Sequence, residues 1–355
     1  MKIEGLRIGE LFSRLPIVQG GMGVGVSAHK LATAVTNAGG IGIISSAQIG
    51  YMEPDFEYNT LEANLRALKE NVRKAKEATK GGIIGVNIMV AMINYKEAVK
   101  ATVESGADII ISGAGLPLEL PKLTKGFKTK IAPIVSSLKS ARVILKYWDR
   151  HDKVTADMVV IEGPRAGGHL GFKVDDIESA TINFDEEVVK IIEEVKVYEE
   201  KYSKKIPVIV GGGVFTGEDI AKYLKLGANG VQMATRFVGT VECDASMEFK
   251  EAYINSKDKD IDIVKSPVGM PGRAITNEFV MRTREGRIPV EKCYRCISHC
   301  NPAETPYCIT KALINSVKGN LKEGLIFCGD NASRIKEIVP VAELMKELEE
   351  GIAES

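Results

Sequence analysis

The residues best suited to chemistry sit in short glycine-rich segments. His169 lies within Gly163-Pro164-Arg165-Ala166-Gly167-Gly168-His169-Leu170-Gly171. Glycines on both sides leave room for a ligand against the backbone. An imidazole that titrates near neutrality can take or give a proton there. The plainer alternative is a histidine that only completes a turn. His29 and His151 fall at helix ends and read as surface groups, and His299 lies among cysteines.

A second group suits an anion. Gly211-Gly212-Gly213 follows an apolar run, and Gly212 and Gly213 lack the Cβ atoms that would keep an anion from backbone N–H groups. Thr216-Gly217-Glu218-Asp219 then opens a helix, whose N-terminus favours negative charge. Ala234 and Thr235, in Gln232-Met233-Ala234-Thr235-Arg236, add N–H and hydroxyl donors. Together these point to a phosphate site; glycines serving only tight turns would be the simpler reading. Gly20, Gly21 and Gly23 leave space for a flat ring, and Asn87 offers an amide donor and acceptor.

The third group is Cys293-x2-Cys296-x3-Cys300-x7-Cys308. Four thiolates at close spacing suit a tetrahedral zinc ion or an iron–sulfur cluster, with His299 able to replace one sulfur. The spacing matches neither pattern in its standard form, and reduced structural thiols are the third reading. Cys243 and Cys328 stand apart and read as small buried hydrophobes.

Short β-branched apolar runs alternate with helix-period stretches and must position these groups. The expected strands are 16–19, 40–45, 83–89, 108–112, 130–136, 157–162, 207–211 and 230–234. Helical patterns over 28–38, 61–79, 95–104, 118–123, 138–150, 185–202 and 217–226 fill the gaps. Strands apolar on both faces imply a parallel sheet covered on both sides. Eight such units close into a (β/α)₈ TIM barrel, with a doubly wound open sheet as the rival. The glycine-rich segments, Asn87 and Gln232–Arg236 all lie at strand C-termini, where barrel active sites are found. The alternation stops after residue 240. The expected division is a barrel over 1–240 and a mostly helical extension over 241–355 that packs on it and carries the cysteines.

Lys+Arg and Asp+Glu both number 47, so net charge gives no reason to expect nucleic acid or a membrane surface as partner. Residues 1–14 lack the apolar core of a signal peptide, and no apolar run is long enough to span a bilayer. The expectation is a cytoplasmic protein acting on a small molecule. A homo-oligomer stays open.

In family order, the chain carries Pro16-Ile17-Val18-Gln19-Gly20-Gly21-Met22, Asn37-Ala38-Gly39-Gly40-Ile41-Gly42 and Gly85-Val86-Asn87. Ala166–Gly171, Pro207–Gly213 and Gly230–Phe237 follow. With these segments it resembles the nitronate monooxygenase family, formerly 2-nitropropane dioxygenases, and the related FMN-dependent enoyl-acyl carrier protein reductases. The resemblance implies FMN as cofactor, held by Asn87, Glu162, Gly167, Gly212, Gly213, Gln232, Met233, Ala234 and Thr235, with Gly21 and Met22 near its ring. It makes His169 the catalytic acid/base. The substrate is then an alkyl nitronate oxidised with O₂, or an enoyl thioester reduced with NAD(P)H. A flavin electron-transfer module without turnover of its own is the remaining reading. The family often has an amide where Glu162 stands and a glutamate where Arg165 stands, which unsettles the substrate more than the cofactor.

Overall fold

The computed structural model describes residues 1–355. A hairpin of β1 (Leu6–Ile8) and β2 (Leu11–Ser13) comes first. Eight parallel strands then form one sheet. They are β3 (Ile17–Gln19), β4 (Gly42–Ser45), β5 (Ile84–Met89), β6 (Ile109–Gly113), β7 (Lys130–Val135), β8 (Val159–Glu162), β10 (Val208–Gly211) and β11 (Gly230–Met233). The pair β9 (Gly168–His169) lies outside this sheet. Neighbours run in the order β3-β11-β10-β8-β7-β6-β5-β4. A parallel bridge between Val18 and Ile41 joins the two ends, so the sheet closes into the expected barrel.

The two-residue period of a strand sorts its side chains. Val18, Ile43, Ile109, Ile111, Ala132, Val160 and Ile209 point inward and pack on one another. Leu6 and Ile8 of the hairpin join this interior cluster. Ile17, Ile44, Ile84, Val86, Ile110, Val159, Val208 and Val231 point outward into the larger core beneath the helices.

The helices of that layer are α1 (His29–Asn37), α2 (Thr60–Ala78), α3 (Tyr95–Glu104), α4 (Leu120–Thr124), α5 (Leu138–His151), α7 (Phe184–Tyr202) and α8 (Gly217–Lys225), with the short α6 (Ile177–Ile182), which buries no residue, leading into α7. Gly42 shows how closely they sit: a Cβ there would lie 2.0 Å from the Ala32 carbonyl oxygen of α1.

After β11 come the single turn α9 (Thr235–Val238), then α10 (Met247–Ile254), β12 (Ile261–Lys265), β13 (Pro271–Ile275), α11 (Glu278–Glu285), α12 (Ile309–Val317) and α13 (Val341–Glu354). The last helix packs against both α8 and α1. Its Val341, Leu344, Met345, Leu348 and Ile352 enter the core between barrel and helices. Helix α13 therefore supplies the eighth helix of the barrel, although about a hundred residues separate it from β11. The segment between them folds over the C-terminal mouth of the barrel. It adds β12 and β13 as an antiparallel pair, and β13 takes β9 as its other neighbour. No helix is long and apolar enough to cross a membrane.

Candidate active site

The inward-facing residues change character at the C-terminal ends of the strands. Ser45 of β4, Asn87 and Met89 of β5, Gly113 of β6, Ile134 of β7, Glu162 of β8 and Gln232 of β11 line a cavity of about 230 Å³. A second cavity of about 110 Å³ lies beside it, over the ends of β10 and β11. Gly21, Glu162, Gly167, Gln232, Ala234 and Thr235 line both. Met22, Asn87 and His169 face the larger one; Gly212, Gly213 and Met233 line the smaller. The structure thus brings every flavin-site candidate of the sequence to one place, together with His169.

The histidine loop is held from a distance. Gly163 N–H donates to the Gly211 carbonyl at 2.8 Å, tying the loop to β10. The Arg273 guanidinium of β13 donates to the carbonyls of Pro164 (2.8 Å) and Ala166 (2.6 Å). Gly167 passes so near the backbone of Cys328 and Gly329 that a Cβ would meet it at 2.5 Å. Gly168 takes φ +70°, and Gly168–His169 then adds to β13 as a short strand.

This placement leaves the His169 Nε2 2.7 Å from the Ser266 Oγ. The ring meets the edge of Phe327 at 5.0 Å between centroids. No carboxylate stands beside it, and burial pushes the imidazole down to about 4. His169 is therefore neutral at neutral pH. The unfolded chain binds a proton near pH 6.5 that the fold does not accept until about pH 4. Stability from this group is thus complete above pH 6.5 and is lost as pH falls toward 4. In urea titrations of ligand-free protein, the midpoint gap between wild type and His169→Ala should shrink over that window; a constant gap would contradict the assignment.

The smaller cavity is a backbone cradle. Gly212 and Gly213 take φ +92° and +93°. A Cβ on Gly212 would lie 2.7 Å from the Gly163 oxygen. Thr235 begins the single turn α9, where the Phe237 N–H donates to the Ala234 carbonyl at 2.9 Å. Gly329, Asp330 and Asn331 complete the rim, and Asn331 Nδ2 donates to the Gly213 carbonyl at 2.7 Å. Arg165 also faces this cavity, with Asp330 3.6 Å from its guanidinium. The N-terminus of α8 is not part of the cradle. Thr216 and Asp219 cap it reciprocally, with the Asp219 carboxylate accepting from the N–H groups of Phe215 and Thr216. That corrects the expectation of an anion there: the helix already holds its own.

Gly21 packs directly on Asn87, where a Cβ would come within 2.4 Å. Asn87 lines the cavity, and its Nδ2 donates weakly to the Ile111 carbonyl at 3.3 Å. Glu162 has no cationic partner, and burial lifts its carboxyl to about 7. The outer wall comes from the segment beyond β11: Phe249, Tyr253, Met270, Leu313, Leu325 and Phe327. Sequence reasoning missed this wall, along with Ser266, Arg273 and residues 329–331. Only Gly329-Asp330-Asn331 after the apolar run 325–328 carried a usable signal, that of a strand-end turn.

The cysteines do not form the expected centre. Cys293 is exposed; Cys296, Cys300 and Cys308 are partly buried. Cys308 is the N-cap of α12, and Ile297 bridges to Met92, which lays the segment along the loop after β5. No three Cys, His, Asp or Glu side chains are disposed to hold a metal ion. Neither the zinc nor the iron–sulfur reading is supported.

Comparison with known proteins places these features. A probable nitronate monooxygenase of Staphylococcus saprophyticus is 26% identical over 307 residues, covering 80% of this chain and 82% of that protein. One from Staphylococcus aureus is 29% identical over 295 residues, covering 77% and 79%. FabK from Thermotoga maritima superposes with a TM-score of 0.72 at 28% identity, over 96% of this chain and 93% of that one. A nitroalkane oxidase from Streptomyces ansochromogenes shares the fold, with a TM-score of 0.74 at 19% identity. The family model for nitronate monooxygenase matches residues 7–351. Nearly the whole chain, barrel and mouth segment alike, therefore belongs to the nitronate monooxygenase family, whose members are FMN-dependent oxidoreductases.

Proposed function

We propose that this chain binds FMN across the two joined cavities and oxidises alkyl nitronates, with His169 beside the substrate. The observation that carries the reading is a histidine facing a cavity that shares its wall with a backbone anion cradle. The fit to FMN rests on space that side chains would fill: Cβ atoms on Gly212 or Gly21 would clash with the Gly163 oxygen or with Asn87. Gly212, Gly213, Ala234 and Thr235 would hold the phosphate, and Gly21, Met22, Asn87 and Gln232 the ring. FMN supplies the electron acceptor.

The chain's own residues then do the following. With the Ser266 hydroxyl donating to its Nε2, the neutral His169 ring carries its proton on Nδ1, which has no protein partner. A ring held at about 4 is a weak base. It is better suited to hydrogen-bonding the oxygens of an anionic nitronate, which has already lost its α-proton, than to deprotonating a neutral nitroalkane. Phe249, Leu313, Leu325 and Phe327 keep water from the substrate's carbon side.

That apolar wall, with the likeness to FabK, favours one second reading: reduction of an enoyl thioester by NAD(P)H, with the acyl chain along the wall. Oxygen-electrode assays separate the two. The first reading expects O₂ uptake on adding propyl-2-nitronate alone. NAD(P)H oxidation that needs an enoyl thioester, with no response to nitronate, would replace it by the second.

A further inference from the structure

Glu162 ends β8 at the junction of the two cavities and lines both. Its surroundings offer a carboxylate almost nothing. Of the neighbouring cations, Arg273 is spent on the carbonyls of Pro164 and Ala166, and Arg165 turns to Asp330. Neither forms an ion pair with Glu162. The one group that favours its charged form is the nearby Gly171 N–H.

The other groups lining the cavities that Glu162 lines, element by element, add no positive charge. β5 brings the neutral amide of Asn87, and β11 that of Gln232. The histidine loop brings the uncharged His169 ring. The 328–331 segment brings the Cys328 thiol, pushed up to about 12 by burial, and the Asp330 carboxylate. α10 brings the Tyr253 phenol, which burial raises well above its ordinary value. An anion bound in the cradle would thus share a dry enclosure with Glu162, where like charges repel far more than in water.

We propose that Glu162 takes up a proton when FMN binds, so that the chain holds the cofactor with this carboxyl neutral, as a hydrogen-bond donor standing where the family often has an amide. The inference rests on the FMN assignment made above. In the ligand-free protein burial already brings the carboxyl to about 7, and a phosphate dianion next door acts in the same direction.

The test is titration calorimetry of FMN into deflavinated protein at pH 8, in two buffers of different ionisation enthalpy. At that pH the FMN phosphate is already a dianion. His169 is already neutral, so neither masks the count. Wild type should take up close to one proton per FMN, and its affinity should fall about tenfold from pH 8 to pH 9. Glu162→Gln, which keeps the shape and removes the charge, should bind FMN with no proton uptake and a flat affinity between pH 7 and 9. Absence of uptake in wild type, or equal uptake in Glu162→Gln, overturns the proposal while leaving FMN binding intact. Failure of both proteins to bind FMN at any pH overturns the cofactor assignment itself, and this inference with it.

Discussion

Replacing His169 by alanine is expected to lower kcat/KM for a nitronate by about 10²- to 10³-fold, the effect of losing one hydrogen-bond donor to a reacting anion, while bound FMN is retained. The first half follows from placement. His169 is the one imidazole facing the larger cavity, fixed by Ser266 on one nitrogen and by Phe327 on the ring edge. The second half follows from what His169 does not touch: the cradle of Gly212, Gly213, Ala234 and Thr235 is built without it. Steady-state rates and the flavin absorbance of the purified variant measure both. A variant that purifies without flavin would make His169 a structural residue. Ser266→Ala should cost less, because it frees the ring without removing it.

The other large effect is expected at Gly212. Gly212→Val places a branched side chain at φ +92°, 2.7 Å from the Gly163 oxygen. The loop must shift or the cradle must fill, so FMN affinity should drop by at least about a hundredfold, which corresponds to ~2.7 kcal/mol. Fluorescence titration with FMN reads the loss, and circular dichroism reports whether the barrel stays folded. Thr235→Val is the milder companion: it removes one hydroxyl at the start of α9 and keeps the volume. If both variants bind FMN like wild type, the phosphate lies elsewhere.

The barrel was legible in the sequence because its signal is local. Val159–Glu162 or Val208–Gly211 reads as a strand from β-branched content alone, and the helices between show their period within one or two turns. The flavin-site candidates were legible for the same reason: they are short motifs at strand ends, and the fold brings those ends together. What escaped was everything non-local. Ser266 is 97 residues from His169, and Arg273 is 107 from Ala166. Nothing near His169 announces either partner. The strand β9 is two residues long and exists only because β13 is there to receive it. The β1–β2 hairpin was missed because its two three-residue strands mix buried and exposed positions, whereas the equally short β3 is buried throughout. The self-capping of α8 was misjudged because the same Thr-x-x-Asp pattern that starts a helix also fills its anion site.

The histidine's charge is the other instructive case. The sequence suggested an imidazole at its ordinary pKa, with flanking glycines leaving room for a ligand. The enclosure made by Phe327, Ser266 and the mouth segment instead holds it neutral far below that. This favours hydrogen bonding to the alkyl nitronate over proton abstraction as the role of His169.

Anaerobic flavin reduction, with nitronate and NAD(P)H as rival donors, tests the central claim most directly. Bleaching of the flavin band by propyl-2-nitronate, much slower in His169→Ala and not matched by NADH or NADPH, is the predicted result. Rapid bleaching by NAD(P)H with no response to nitronate would contradict it.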